Sequence, residues 1–433
     1  MWLSILSFIA VIPSGYVITW GLAPGLYIIG TITNNATLVG LSSWTSSPMG
    51  IAIIGTVFVL VSLIPAILGT RALIRTFQIP MFIVATLGLI VALGILATST
   101  HAQFVANFNQ IEAPLTYNGI VAMGRQLNPQ AFVPESFGVL VLLAALGTTG
   151  GSVNSYWNAW AVGELKNAKS VKNEVLSFVV PSVILTLAII AIIELEEIVV
   201  GKQQLIALTQ VGTLGASSLP NPLFGGGVVT ISVPYILAGN PWIDGFLMIS
   251  MIAAAFTFMP ICWLLASRDP FAWAMDRLVP AKFAQVSDRF HTPVFSLVFA
   301  FVVAEIFLLI AAFTSLLGML FAVTWSWTAI GVASLCLACA LLPLRKTYWD
   351  ASPLKWKIAG IPVVTIIGLI GLFFELDVIA TFILVPALGF GTNLGEIIIS
   401  SYVIVVILYF VSKYIRKSQG FDIDLAFKTI PPE

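Results

Sequence analysis

The chain has 433 residues, of which 59% are hydrophobic and only 9% are charged, whereas roughly a quarter of the residues of a soluble globular domain are charged. This composition excludes a soluble globular protein and predicts an all-α polytopic membrane protein that lies in a lipid bilayer. Nineteen basic residues balance nineteen acidic ones, so the chain has no basic footprint for binding nucleic acid.

Apolar stretches of about 20 residues predict about ten transmembrane helices. Together they form a predicted transmembrane domain over 1–412, which a cytoplasmic tail over 413–433 follows. The predicted spans are 3–30, 50–68, 77–97, 137–161, 175–193, 242–266, 294–313, 316–343, 358–374 and 395–412.

The distribution of basic residues predicts the orientation of these spans. If residue 1 is cytoplasmic, seventeen of the nineteen Lys and Arg residues fall in cytoplasmic loops or the tail, and only Arg125 and Lys202 fall outside. An excess of basic residues in short cytoplasmic loops orients helices during insertion. We therefore expect a multi-pass protein of the cell membrane with both termini in the cytoplasm.

The first span begins at Trp2, and no charged residue precedes Arg71. There is no charged leader and no small-residue cleavage site, so the segment is not a signal peptide. Multispan proteins usually carry cytoplasmic charges near their first helix. The pattern is thus typical of a chain that lacks upstream residues.

The fourth predicted span is interrupted in its middle by small and polar residues. These are Gly147, Thr148, Thr149, Gly150, Gly151, Ser152 and Asn154. A helix breaks at membrane depth only where protein or a water-filled cavity satisfies the freed backbone groups, as in the substrate sites of secondary transporters. The alternative is that the glycines and hydroxyl residues mark close helix packing. Two adjacent glycines beside two threonines favour a substrate site.

Two loop segments have predicted structure of their own. Residues 203–211 form a predicted short surface helix. In 268–293, aromatic residues alternate with charged ones, which predicts an amphipathic helix at the membrane interface.

Glu305 is the only acidic residue deep in a predicted span. A charge at that depth is costly, so such a residue usually faces a cavity, pairs or takes up a proton. It is a candidate for binding a coupling proton, and the alternative is a protonated, hydrogen-bonded structural role. Histidines at 101 and 291 are too few and too scattered for a metal site, and we expect no cofactor and no enzymatic activity.

Three separated stretches resemble the amino acid-polyamine-organocation permeases. One is the broken span that closes in Gly163, Glu164, Leu165, Lys166 and Asn167, which is similar to that family's sixth helix, although Ala168 stands where the family often has proline. The others are the loop from Ser267 to Pro293, similar to the loop after the eighth helix, and Leu68 to Arg71, similar to the turn between the fourth and fifth helices.

The resemblance implies the inverted-repeat fold of the leucine transporter, with the ten spans corresponding to its helices 3–12 and the first two helices absent. It implies a secondary transporter of amino acids or related amines that works by alternating access and is coupled to H⁺ or Na⁺. The alternative is a truncated or degenerate permease that serves as a receptor or subunit. The resemblance also makes Ser14, Gly15, Tyr16 and Trp20 candidates for lining the site, and the alternative for the aromatic ones is a place in an interfacial belt. Phe256, Thr257 and Phe258 occupy the corresponding stretch of the family's eighth helix, where ordinary packing is the alternative to a contact with the substrate.

Overall fold

The computed structural model describes residues 2–113, 115–133, 138, 171–214, 229–314, 317–352, 355–384, 393–421 and 423. In this part of the chain there are seventeen α-helices and one two-stranded hairpin. Nine helical stretches here are long and apolar enough to cross a membrane. The all-α polytopic fold class predicted from the sequence is confirmed.

The chain divides into two compact units, and the larger comprises 6–135 and 160–317. Its helices are α1 (Trp2–Ile12, which begins in the smaller unit), α2 (Ala23–Ile32), α3 (Ala36–Thr45), α4 (Pro48–Leu68), α5 (Thr70–Ala72), α6 (Ile79–Thr98), α7 (His101–Ile111), α8 (Tyr117–Leu127), α9 (Val171–Val200), α10 (Lys202–Leu214), α11 (Val229–Ala238), α12 (Pro241–Met275) and α13 (Val294–Phe313).

The first membrane-length helix changes its winding in its middle. A π-helical segment, Pro13–Leu22, joins α1 to α2 without a break in the helix. A backbone bond of the longer π type is seen at Ala23, whose N–H donates to Ile18 O five residues earlier. The side chain of Thr19 also bonds within the segment, since its Oγ1 donates to Ser14 O at 2.8 Å. Single turns of this kind occur frequently at functional sites.

Helix α12 is the longest element of the larger unit and packs against α2, α4, α6, α13 and the π-helical segment. Its indole at Trp263 is fully buried and donates a hydrogen bond of 2.9 Å to Ser62 Oγ on α4. This bond satisfies the one polar atom of a large buried side chain. Helix α12 therefore positions the elements around it.

The amphipathic helix predicted over 268–293 is not formed. Helix α12 instead continues to Met275, and Arg277 ends it with a φ of 62° in the left-handed region. The N–H of Leu278 donates to Trp273 O at 2.8 Å, which closes the helix end although no glycine is present. A short 3₁₀ helix, Ala281–Ala284, is the remaining helical structure in this stretch.

The predicted surface helix over 203–211 is a helix with one exposed and one buried face, and Gln203 and Thr209 are exposed. In α10, Gln204, Ala207, Leu208 and Val211 are fully buried. The apolar ones pack in a core with residues of α7, α8 and α11 at one end of the larger unit. The short helices α7, α8, α10 and α11 thus share one hydrophobic core.

The smaller unit contains most of α14 (Leu317–Leu341) and all of the later elements. These are α15 (Lys346–Ala351), β1 (Lys357–Ile358), β2 (Ile361–Pro362), α16 (Val363–Leu384) and α17 (Asn393–Ser418). The two strands pair antiparallel, with Lys357 opposite Pro362. The turn between them holds Ala359 and Gly360 at positive φ, as a two-residue hairpin turn requires.

Candidate functional site

The predicted centre of the site, Gly147, Thr148, Thr149, Gly150, Gly151, Ser152 and Asn154, lies outside the described residues. The substrate-binding role of these residues stays a prediction. The described part of the chain places the other candidates: Tyr16, Thr257 and Glu305.

Tyr16 lies in the π-helical segment, on a half-buried stripe of that segment. Gly15, Tyr16, Thr19 and Trp20 are half-buried. The intervening Ser14, Val17 and Ile18 are at most 3% exposed. A Cβ atom added at Gly15 would meet nothing within 4 Å, so the stripe borders open space. One side of the π-helical segment is therefore packed and the other is available to a ligand.

The ring of Tyr16 belongs to a group of aromatic side chains. Its centroid lies 4.3 Å from that of Trp20, with the rings edge to face, and 5.7 Å from that of Phe258 on α12. Phe258 also contacts Phe8, with centroids 6.4 Å apart. The hydroxyl of Tyr16 makes no hydrogen bond to the part of the chain that the structure describes. The aromatic body is thus held while the polar edge is available.

Thr257 is adjacent to Phe258 in sequence but lies on a different side of α12. It lines a cavity against α6, and Tyr16 is not among the residues lining that cavity. Its hydroxyl donates to Ala254 O at 2.7 Å. The preceding residue, Phe256, contacts Phe58 with ring centroids 4.1 Å apart. Three consecutive residues of α12 therefore face three different neighbours, and the structure brings Phe258, not Thr257, to Tyr16.

Glu305 lies at the contact between α13 and α4. The hydroxyl of Thr56 donates a hydrogen bond to Oε1 of Glu305, while Oε2 is enclosed and has no partner in the structure. Gly55, next to Thr56, lets α4 and α13 approach each other closely. A Cβ atom at this position would lie 2.8 Å from the side chain of Leu308 on α13. The predicted hydrogen bond of Glu305 is thus made to a threonine 249 residues away.

Among the described residues, four acidic side chains that the sequence did not single out are buried: Glu112, Glu196, Asp244 and Asp377. Asp244, in the first turn of α12, is 0% exposed, and neither carboxylate oxygen has a hydrogen-bond partner among the described residues. Asp377 on α16 is 9% exposed, and its Oδ2 has no partner. The sequence places Asp244 near one end of the predicted span 242–266 and Asp377 beyond the end of the predicted span 358–374, and it predicted the burial of neither.

A sequence model of the amino acid permease family matches residues 2–411. The chain belongs to the amino acid permease family. The resemblance to these permeases found in the sequence is confirmed, and the protein is a multi-pass membrane transporter of amino acids or amines rather than an enzyme. A search of curated proteins finds no match.

Proposed function

We propose that this permease carries an amino acid or a related amine across the cell membrane by alternating access, with both termini in the cytoplasm. The family match over residues 2–411 is the observation that carries the proposal. The proposed substrate-binding residues are Gly147, Thr148, Thr149, Gly150, Gly151, Ser152, Asn154, Tyr16 and Thr257, and Glu305 is the candidate for proton coupling.

The break that the sequence predicts at Gly147 to Asn154 is suited to the two ends of a zwitterion. A helix that stops at membrane depth leaves unpaired carbonyl groups, and the helix that restarts presents unpaired N–H groups with a positive dipole end. The ammonium group of an amino acid binds the carbonyls, and its carboxylate binds the N–H groups. Glycines keep the backbone accessible to such a close approach.

Tyr16 in the π-helical segment is proposed as a substrate contact on observations of its own. Gly15 borders open space, and Tyr16 next to it carries a hydroxyl that makes no hydrogen bond to the described residues. An aromatic side chain in this setting closes over a substrate while its polar edge bonds to it. Thr257 remains in the proposal on the family resemblance, since it lies on another side of α12.

Two coupling ions, H⁺ and Na⁺, are compatible with the proposal. Glu305 is the candidate carrier of a proton because it lies at depth in an apolar helix, with one oxygen bonded to Thr56 and the other enclosed. The alternative is that Glu305 is protonated throughout the cycle and joins α13 to α4.

Uptake into proteoliposomes tests the substrate site. We expect Gly150→Leu and Gly151→Leu to abolish uptake of labelled amino acids and amines under an imposed pH or Na⁺ gradient, without lowering the amount of inserted protein. The reason is that a bulky side chain at the break blocks both the ligand and the closing of the helices around it.

The matched control is Gly94→Leu on α6, because Gly94 is exposed and a Cβ atom there would meet nothing within 4 Å. This variant is expected to transport like the unmodified chain. Normal uptake by both variants at the break would rule out the half-helix site. A correctly inserted, unmodified chain that takes up nothing under any gradient would favour the receptor or subunit role instead.

A further inference from the structure

Two connections of the larger unit pack against each other, the one from α4 to α6 (69–78) and the one from α12 to α13 (276–293). Thr292 Oγ1 donates a hydrogen bond of 2.9 Å to Ile67 O in the last turn of α4. A Cβ atom added at Gly69 would lie 3.3 Å from Phe290 O. The turn that follows α4 is therefore in contact with the turn that precedes α13, at one end of these membrane-length helices.

Basic side chains dominate the exposed surface of these two connections. The exposed cations are Arg71, Arg75, Arg277, Lys282 and Arg289. On the same two connections, Asp288 is the one exposed acidic residue, and Asp276 is half-buried. An excess of one sign of charge on a surface raises the local concentration of ions of the opposite sign. This end of the larger unit is therefore suited to an anionic partner.

The contact between the two turns brings together the backbones that carry Arg71 and Arg289. Arg71 follows Gly69 by two residues, and Arg289 directly precedes Phe290, whose carbonyl lies against Gly69. The guanidinium of Arg289 lies 5.1 Å from the centroid of the Phe290 ring. Neither arginine forms an ion pair within the part of the chain that the structure describes. Guanidinium groups bind phosphate oxygens through two parallel hydrogen bonds, so a phosphate group fits this pair.

Lys282 is held at the start of α13, where that helix enters the membrane. Its Nζ lies 4.6 Å from the centroid of the Phe295 ring. The neighbouring Phe283 packs edge to face on the same ring, with centroids 4.9 Å apart, and its carbonyl accepts a hydrogen bond of 2.7 Å from Ser296 Oγ. The short helix that carries Lys282 is thus anchored to the first turn of α13, and its cation lies beside aromatic side chains at the membrane surface.

Apolar stripes that face lipid begin next to these cations. They are Leu60, Ile64 and Leu68 on α4, and Val298, Val302 and Ile306 on α13, all of which are 43–57% exposed. Each stripe covers eight helical steps, or about 12 Å. One leaflet contributes about 15 Å to the hydrocarbon core, so each stripe has nearly the length of that half. Leu68 lies one turn before Arg71 in the chain, so exposed cations and exposed hydrocarbon-facing side chains meet at this end.

We propose that this end of the larger unit binds an anionic phospholipid of the bilayer. The lipid phosphate contacts Arg71 and Arg289, and the acyl chains lie along the stripes of α4 and α13. A soluble anion would use the arginines and leave the stripes unused, whereas a phospholipid uses both. In the proposed orientation this end faces the cytoplasm, and basic pockets between membrane helices on that side bind anionic head groups.

The cations could instead serve only to orient the helices during insertion, which depends on their number and requires no bound lipid. A test must therefore measure binding to the folded protein. The full chain, purified in detergent, is incubated with equal amounts of phosphatidylglycerol and phosphatidylcholine that have the same acyl chains. Native mass spectrometry then counts the bound lipids of each kind. We expect a clear preference for phosphatidylglycerol.

Charge-removing variants locate the site. We expect Arg71→Gln and Arg289→Gln each to lower this preference about fivefold, the contribution of one basic residue near an anionic membrane surface. The matched control is Lys202→Gln, because Lys202 is also exposed but lies in α10, which packs at the far end of α6. This control should keep the preference. An unchanged preference in both arginine variants, or an equal loss in the control, would overturn the proposal.

A variant that keeps every cation covers the case in which the glutamine variants fail to insert. Asp288→Asn removes the exposed acid next to Arg289 and should raise the preference for phosphatidylglycerol. An unchanged preference in this variant would contradict a phosphate at Arg289.

The soluble head group, glycerol 3-phosphate, separates a lipid from a free anion. At the concentration of the lipid it should not displace phosphatidylglycerol, because it lacks the chains that contact the stripes. Displacement at equal concentration would identify a site for a soluble anion and overturn the lipid assignment.

Discussion

The π-helical segment around Tyr16 and the contact around Glu305 place polar groups in opposite surroundings. At Gly15 a Cβ atom would meet nothing within 4 Å, whereas at Gly55 it would lie 2.8 Å from Leu308. Tyr16 keeps a polar edge beside open space, and the carboxyl group of Glu305 is held by Thr56 between two packed helices. Depth in a span therefore does not by itself indicate a ligand site, because local packing decides which polar groups a substrate can reach.

The largest effect is expected from leucine at the two glycines. Gly55→Leu forces α4 and α13 apart, which should lower the free energy of unfolding by about 3 kcal/mol, the upper range for overpacking. Gly15→Leu should carry no overpacking cost and should lower uptake, because its side chain projects into open space. Unfolding in detergent with both variants measures the difference. The helix-propensity gain from replacing glycine is the same for both and cancels. Equal stability of the two would refute the contrast in packing.

A smaller effect is expected at Tyr16. Tyr16→Ala should lower the rate of uptake about tenfold, corresponding to about 1.4 kcal/mol in the barrier, while the amount of folded protein stays the same. Tyr16→Phe should lie between this variant and the unmodified chain, because it keeps the edge contact with Trp20 and loses the hydroxyl. Tyr414→Ala is the control, since Tyr414 on α17 is 77% exposed. If Tyr16→Ala transported normally, Tyr16 would have only a packing role.

The smallest effect is expected from Glu305→Gln. Glutamine keeps an oxygen that accepts the bond from Thr56 but cannot titrate. We expect the rate of uptake and its dependence on the pH gradient to stay the same, because the hydrogen-bonded shape is preserved. The free energy of unfolding should change by less than about 0.5 kcal/mol. Uptake that no longer follows the pH gradient, with exchange of bound substrate retained, would instead identify Glu305 as the carrier of the coupling proton.

The fold class was predictable because lipid imposes strong constraints on composition. Only helices and closed barrels satisfy their backbone groups in a bilayer, and uniformly apolar stretches of helical length indicate the former. The helix end at Arg277 was not predictable, since the left-handed position there is filled by arginine rather than glycine. The usual stop signal is therefore missing from the sequence.

The candidate site was predictable only in part. The family resemblance selected Tyr16, whose role in binding substrate stays a prediction. The pairing of Glu305 with Thr56 was not predictable, because a contact between residues 249 apart depends on how two helices pack. Helical geometry predicts that Thr257 and Phe258 face different directions, but the sequence does not indicate which of them lies against Tyr16. The break from Gly147 to Asn154 rests on sequence reasoning alone.

The π-helical segment also determines where this helix tolerates a change in length. Its backbone bonds reach the fifth residue rather than the fourth, so the segment accommodates a surplus residue relative to an α-helix. Deleting one residue between Ser14 and Leu22 lets the bonds close in the α pattern while α1 and α2 keep their faces. The same deletion within α1 or α2 turns everything beyond it by about 100° and exchanges buried faces for exposed ones. Length variants of this helix are therefore expected to differ within Pro13–Leu22.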